Sequence, residues 1–405
     1  MKEMISTPQL LHKQPSLPLA LIVLAGVVIT LMLNQTTFPR SAQSARPKIV
    51  VSSTAMTVSD DGQCTLIEAI ISANTDTMSG LSLGECLAGD GSDIIELATG
   101  GLYLLDDVNN WLAGPNGLPY ITSQIVINGN GAMIMREPTA PAFRLFQVVK
   151  TGDLKLNHVT LTNGFADGTF PANNGGSIFN SGGILTLFNS TLHDNRATES
   201  GGAVFVWDEG TVTAVNTTLS GNQAGHHGGG IFNKGSQVTL VNSTLTDNVA
   251  DTDQNNFGDG GGIFNDDGQV GLMNSIVAGN DDRSTTQRHA DLSGQFEGNH
   301  HNLISDITGG QGTVGFGSDV IAPNPGLQVL NYNGGLNKTH ALSSDSPAID
   351  MGDNLLCPAI DQRGVRRPQP IGANCDIGAF EVGDNDLCVD GACQQQQGKP
   401  QVWAE

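Results

Sequence analysis

The chain has 405 residues, of which 52 are glycine, while only 5% are aromatic and 14% charged, a balance that favours turns and close backbone approach over bulky helical cores. Lysine and arginine total 18 against 40 aspartates and glutamates, a formal charge of -22, which makes nucleic acid and anionic membrane surfaces poor partners. The bland reading of that acidity is a charge that keeps an exported protein soluble.

Lys2 and Lys13 precede LPLALIVLAGVVITLML, Leu17 to Leu33, an apolar run of 17 residues without a charge. This is the pattern of an export signal. It exceeds a signal-peptide core of about 7 to 15 residues and falls short of the ~20 that span a bilayer. Residues 1–45 therefore read as a signal peptide, cut within SAQSA at Ser41 to Ala45, or as an uncleaved signal anchor, through which alone the protein would touch a membrane.

Over residues 49–100 an N-terminal cap is expected. In GQCTLIEAIISANTD the apolar residues Leu66, Ile67, Ala69, Ile70 and Ala73 have helical spacing, and Thr65 with Glu68 forms a capping box. After it, SDIIELATGGLYLL and ITSQIVINGNGAMIM alternate as strands of first coils.

Residues 93–322 carry repeats. ILTLFNSTLHDN from Ile184, TVTAVNTTLSGN from Thr211, QVTLVNSTLTDN from Gln237 and QVGLMNSIVAGN from Gln269 align, with a looser LKLNHVTLTNG from Leu154. GGSIFN, GGAVFV, GGGIFN and GGGIFN fall between them, so the period is 26 to 32 residues, which signals a solenoid. Each unit holds three short alternating bursts and nothing long enough for a helix. The fold class is therefore all-β, a right-handed parallel β-helix with three short strands per coil, whose open ends need covering. Asn189, Asn216, Asn242 and Asn274 occupy one column at a sharp turn; asparagine tolerates left-handed backbone there and can bond its copy one coil away, so they read as a structural ladder. Three of the four also match the glycosylation acceptor pattern. Asn195, Asn222, Asn248 and Asn280 make a second column. Phe179, Phe205, Phe232 and Phe264 make a third, expected to fill the core. The insertion VADTDQNNFGD offers Asp251, Asp253 and Asp259 as calcium ligands or as a solvated loop.

A disulfide-bonded C-terminal cap is expected over 323–383 and a tail over 384–405. The six cysteines lie outside the repeats. They permit 15 connectivities, of which neighbour pairing is the simplest: Cys64 with Cys86, Cys357 with Cys375, and Cys388 with Cys393. No other cofactor is implied.

CTLIEAI at Cys64 resembles the signature of the CSLREXPD domain, which sits at the N-terminus of bacterial exported β-helix proteins, with Ile67 where that signature has arginine. NYNGGLNKTHAL, SPAIDMGDN, DQRGVRRP and CDIGAFE are similar to the choice-of-anchor Q domain. The recurring LxxN followed by GGxI resembles the repeats of chlamydial polymorphic outer membrane proteins, which act as adhesins. These resemblances imply a bacterial protein, exported and secreted or held at the cell surface or outer membrane. The tail contains no apolar helix or sorting motif, so secretion without a C-terminal anchor is the expectation.

Three functions compete. The first is a non-catalytic adhesion or surface-binding protein whose partners are extracellular glycans or cell surfaces. The second is a polysaccharide lyase or inverting glycoside hydrolase; the repeats gather few cations, Lys155, Arg196, Lys234, Arg283 and Arg288, but coil register places Trp207, Asp208 and Glu209 above Lys234, and Asp266 and Asp267 below it. Two carboxylates about 6.5 to 9.5 Å apart suit inversion, and Trp207 could stack on a sugar. The bland reading is a lysine on a solvated acidic edge. The third is a calcium-stabilised matrix component. The histidine pairs His226 and His227, and His300 and His301, read as turn residues, and Arg363, Arg366 and Arg367 as partners of Asp350, Asp361 or Asp376.

Overall fold

The computed structural model describes residues 48–383 except 287, 298, 299 and 316, together with the backbone of Asp386–Val389 and Ala392–Gln395. The export signal expected over residues 1–45 lies outside the described residues. Among those described, no helix is long and apolar enough to cross a membrane.

Residues 48–321 wind into a parallel β-solenoid of about seven turns with four sheets. The first sheet has eight strands, Lys48–Val50, Ser92–Glu96, Gln124–Asn128, Asp153–Asn157, Ile184–Phe188, Thr211–Val215, Gln237–Val241 and Gln269–Met273. A turn leads to the second sheet, nine strands from Leu102–Leu105 to Val320–Ile321. A third sheet of five two-residue strands runs from Phe165–Ala166 to Asp281–Asp282, and the fourth, of seven, from Phe146–Val149 to Gly309–Gly312. Sequence reading expects three strands per coil; the third sheet escapes it because a two-residue strand leaves no alternation to see. Its buried alanines, Ala166, Ala197, Ala224 and Ala250, let the chain pass close to the layer below.

The core is built by columns. Leu185, Val212, Val238 and Val270 stack in register on the first sheet, and Leu161, Leu192, Leu219 and Leu245 on the second. Parallel strands at about 4.8 Å bring like side chains into contact at every layer. Where the chain re-enters the fourth sheet, a Cβ on Gly202 would stand 2.2 Å from the Gly229 carbonyl oxygen, and one on Gly229 2.5 Å from that of Gly261. Only glycine fits this close stacking.

The first asparagine column takes left-handed backbone, with φ 49° at Asn189, 48° at Asn216, 42° at Asn242 and 47° at Asn274. Its amides mostly do not bond each other. Asn274 donates to Asn242 at 3.3 Å, but Asn216 donates to the Ile360 carbonyl and Asn242 to that of Asp376. The continuous ladder is the second column: Asn195 donates to Asn222 at 2.9 Å, Asn222 to Asn248 and Asn248 to Asn280 at 2.8 Å each, and Asn280 to Asp291 at 2.9 Å. That column lies inside the coil, where an unpaired amide would be costly. The three sequon asparagines are 0% exposed, so burial removes the glycosylation reading.

At the N-terminal end, α1 (Leu66–Thr75) starts at the expected capping box: Glu68 N donates to Thr65 Oγ1, and Thr65 N to Glu68 Oε2. Its apolar residues join the core beside the first strands, and Cys64–Cys86 closes the loop beyond it. The C-terminal segment carries Cys357–Cys375 but does more than cover a tip. It runs back along the outer face of the second sheet, bonding to Thr160 through Asn337, Thr191 through the Lys338 carbonyl, Thr218 through Gln362 and Thr244 through the Ala379 amide. The physical reason is the threonine column: four stacked hydroxyls form a polar rail that a tip cover would leave unpaired. In the tail, the antiparallel pair Asp386–Val389 and Ala392–Gln395 sets the backbone of Cys388 opposite that of Cys393; their side chains lie outside the described residues.

Candidate functional site

The phenylalanine column is buried, with Phe179, Phe205 and Phe232 0%, 3% and 6% exposed, but as a cluster of its own apart from the main core. On each fourth-sheet strand Ile178, Val204, Ile231 and Ile263 point inward, so the next residue points out. Phe179, Phe205 and Phe232 form a separate outer cluster against Trp207 and Phe264. Successive ring centroids are 5.4, 4.8 and 5.3 Å apart. The Arg144 guanidinium lies 4.7 Å from the centroid of Phe179 at one end, and His227 stacks on Phe264 at 4.4 Å at the other. Burial there holds the His227 imidazole below its usual pKa.

Trp207 ends its strand on this face and meets Phe170 edge-on at 5.1 Å, with Phe170 57% exposed. Asp208 and Glu209, which follow, are both left-handed, at φ 56° and 65°. Where the neighbouring coils turn with Gly182 or Gly235, this coil spends two residues bearing Cβ atoms, at a cost of roughly 1 to 3 kcal/mol each.

The suspected catalytic acids come to this edge with separate partners. Lys234 stands in register with Asp266 and forms an ion pair with it. Glu209 pairs instead with Lys150, two coils the other way, at 3.7 Å. Asp267 is the left-handed turn residue after Asp266. Lys234 thus serves one acid rather than bridging two.

Of the three insertion aspartates, Asp251 and Asp253 share Asn255 as a donor, while Asp259 turns to a histidine. Asp251 is buried and accepts from the amides of Asn255 and Asn256 and the hydroxyl of Ser284. Asp253 accepts from Asn255, and Asp259 lies 2.6 Å from His289 Nδ1. Among the described residues no group of three or more His, Cys, Asp or Glu side chains is placed to hold a metal. His226, expected as a turn residue, packs Nδ1 2.7 Å from Glu199.

A groove of about 330 Å³ opens at the corner between the second and third sheets, lined by Arg136, Phe165, Asp194, Arg196 and Gln223 among others. Pairing in the third sheet sets Arg196 beside Phe165 on one side and Gln223 on the other. The Arg196 guanidinium lies 5.3 Å and that of Arg136 5.8 Å from the Phe165 centroid. Arg136 is anchored: Nε donates to the Asn163 carbonyl and Nη1 to those of Glu137 and Ala140. Asp194 is left-handed and lies 2.7 Å from His193 Nδ1, a bond that holds its carboxyl below the ordinary range. Sequence reading finds Arg196 but not its companions. The signal existed, since Phe165, Arg196 and Gln223 each follow the second-column position, yet three unlike residue types do not register as a column.

Residues 216–234 match the Chlamydia polymorphic membrane protein repeat. The match covers one corner-to-corner stretch, from the turn at Asn216 to the end of strand Ile231–Lys234. No curated protein and no solved structure matches the chain.

Proposed function

We propose that this chain is an exported bacterial surface or secreted protein that binds glycans or other cell surfaces without chemistry. The polymorphic membrane protein repeat and the parallel solenoid suggest a surface or outer-membrane protein. The observation that carries the binding reading is the aromatic edge: the half-buried Trp207 and the exposed Phe170 stand beside a buried stack of rings on the fourth sheet. Flat rings on a rigid surface offer the apolar faces on which the C–H side of a sugar packs, with little rotamer entropy to lose. The coil takes the right hand that parallel crossovers adopt, the ends belong to the CSLREXPD-like and choice-of-anchor Q-like types, and the leader delivers the chain across the membrane.

The pairing of Lys234 with Asp266 and of Glu209 with Lys150 favours binding over hydrolysis, because these two acids each face a cation of their own instead of sharing Lys234. The test is retention of the purified protein on immobilised glycans, with reducing ends and unsaturated uronate followed in parallel. Retention that drops at least tenfold in Trp207→Ala at unchanged melting is the expected result. Release of sugar products, abolished by Asp266→Ala, would reverse the reading in favour of an enzyme.

A further inference from the structure

We propose that the groove between Arg136, Phe165 and Arg196 seats a sugar ring bearing a single negative charge, a uronate or a sulfated sugar. The proposal rests on the glycan-binding reading and adds to it a second subsite and a substrate class.

What sets this groove apart is that two arginines without an ion pair among the described residues line one cavity around one ring, whereas Arg144, Lys155, Lys338 and Arg366, also outside ion pairs, do not line it. In a chain with 18 basic against 40 acidic residues, Lys48, Lys150, Lys234, Arg283, Arg288, Arg363 and Arg367 all stand in ion pairs. Arg196 forms none among the described residues, although anions are plentiful; its recorded interaction is with the Phe165 ring. Arg136 has spent Nε and Nη1 on backbone carbonyls, which fixes its guanidinium and leaves Nη2 as its open edge. A guanidinium stacked on a ring keeps its N–H groups directed outward in its own plane, the arrangement that meets a carboxylate or sulfate side-on.

Magnitudes narrow the ligand. Two arginines and one aspartate leave the groove one net positive charge, enough for a monoanion. The overall -22 repels a densely charged polymer. The volume of about 330 Å³ lies at the small end of ligand pockets, about 300 to 1,000 Å³, the size of a single ring. Asp194 and Gln223 supply an acceptor and an amide for hydroxyls. Gly221 keeps the floor open, since a Cβ there would stand 3.0 Å from Asp194 Oδ1.

Titration calorimetry of the purified protein with digalacturonate, with a sulfated galactose disaccharide and with neutral digalactose tests this. One of the two acidic sugars is expected to bind at least tenfold tighter than the neutral one, which also names the source of the charge. Arg196→Gln should erase that preference at unchanged melting, and Arg196→Lys should restore part of it. Arg136 is not the residue to change, because it ties three carbonyls. Equal binding of acidic and neutral sugars, or a preference that survives Arg196→Gln, overturns the proposal. Neutral binding alone, lost in Trp207→Ala, sinks the groove and keeps the surface-binding reading, whereas no binding of any sugar sinks both.

Discussion

Asn222 accepts from Asn195 and donates both to Asn248 Oδ1 and to the Leu192 carbonyl, all inside the coil. Replacing it by alanine takes away the acceptor shared by the backbone and side-chain N–H of Asn195, and one donor each from the Leu192 carbonyl and Asn248 Oδ1, which keeps the Asn222 N–H, at about 1 to 3 kcal/mol for each buried group left unpaired. Asn222→Ala should therefore lower the unfolding free energy by about 2 to 4 kcal/mol, read from denaturant midpoints, whereas Asn255→Ala in the insertion should cost well under 1 kcal/mol. Glu209 offers the opposite case. Its φ of 65° is strained for a residue with a Cβ, so Glu209→Gly should stabilise the protein by roughly 0.5 to 1 kcal/mol, offset in part by the freer unfolded chain. If the bend holds Trp207 in its binding pose, the same variant should bind glycan less well; a variant neither more stable nor weaker in binding would show the turn to be indifferent.

Among the elements, the outward phenylalanine row and the threonine rail share one logic: a strand pairs in register with its copy, so whatever faces outward is repeated and must be covered. Phe232 is 6% exposed between Phe205 and Phe264. Phe232→Ala should cost about 3 kcal/mol, seen as a lower melting temperature. The threonine rail explains why the C-terminal segment lies along the flank. Cys357–Cys375 closes a short stretch of that segment, with a sequence separation of 18, and loops of this length give about 3 kcal/mol of unfolded-state constraint. Removing both cysteines should loosen the segment before the coils, visible as faster amide exchange at Asn216 and Thr218, which it covers.

For the whole molecule, acid–base behaviour concentrates within that segment. Arg363 pairs with Asp361 and Arg367 with Glu381, all four side chains nearly or wholly buried, and Asp376 lies beside them. Three carboxyls share two guanidiniums. Burial, against the pull of Arg367, pushes Asp376 up to about 6 and Glu381 up to about 7. Both groups hold protons more tightly folded than unfolded, so between about pH 4 and pH 7 the native state binds more protons. Stability is then highest at the acid side of this window and falls as pH rises through it. Melting temperature should drop from pH 5 to pH 7.5, and Asp376→Asn should flatten that slope; a slope unchanged in the variant would place its origin elsewhere. The surface charge of -22 acts in the same direction, since self-repulsion grows as carboxyls ionise.

The sequence by itself determined what depends on period and local backbone: the solenoid, because like residues recur at a coil's length; the left-handed turn at Asn189, Asn216, Asn242 and Asn274; and the capped helix at Thr65, while it left Cys64–Cys86 and Cys357–Cys375 as the simplest of several pairings for the structure to decide. Tertiary structure decided what depends on facing. An aligned column of phenylalanine or asparagine shows that residues stack, but a one-residue difference in strand phase separates core from surface. Packing set the phenylalanines in a buried cluster apart from the main core, gave the amide ladder to Asn195, Asn222, Asn248 and Asn280, and left Lys234 with one acid instead of two. It also drew Arg136, Phe165 and Arg196 into one groove, a meeting of unlike residues from different strands that no repeat pattern records.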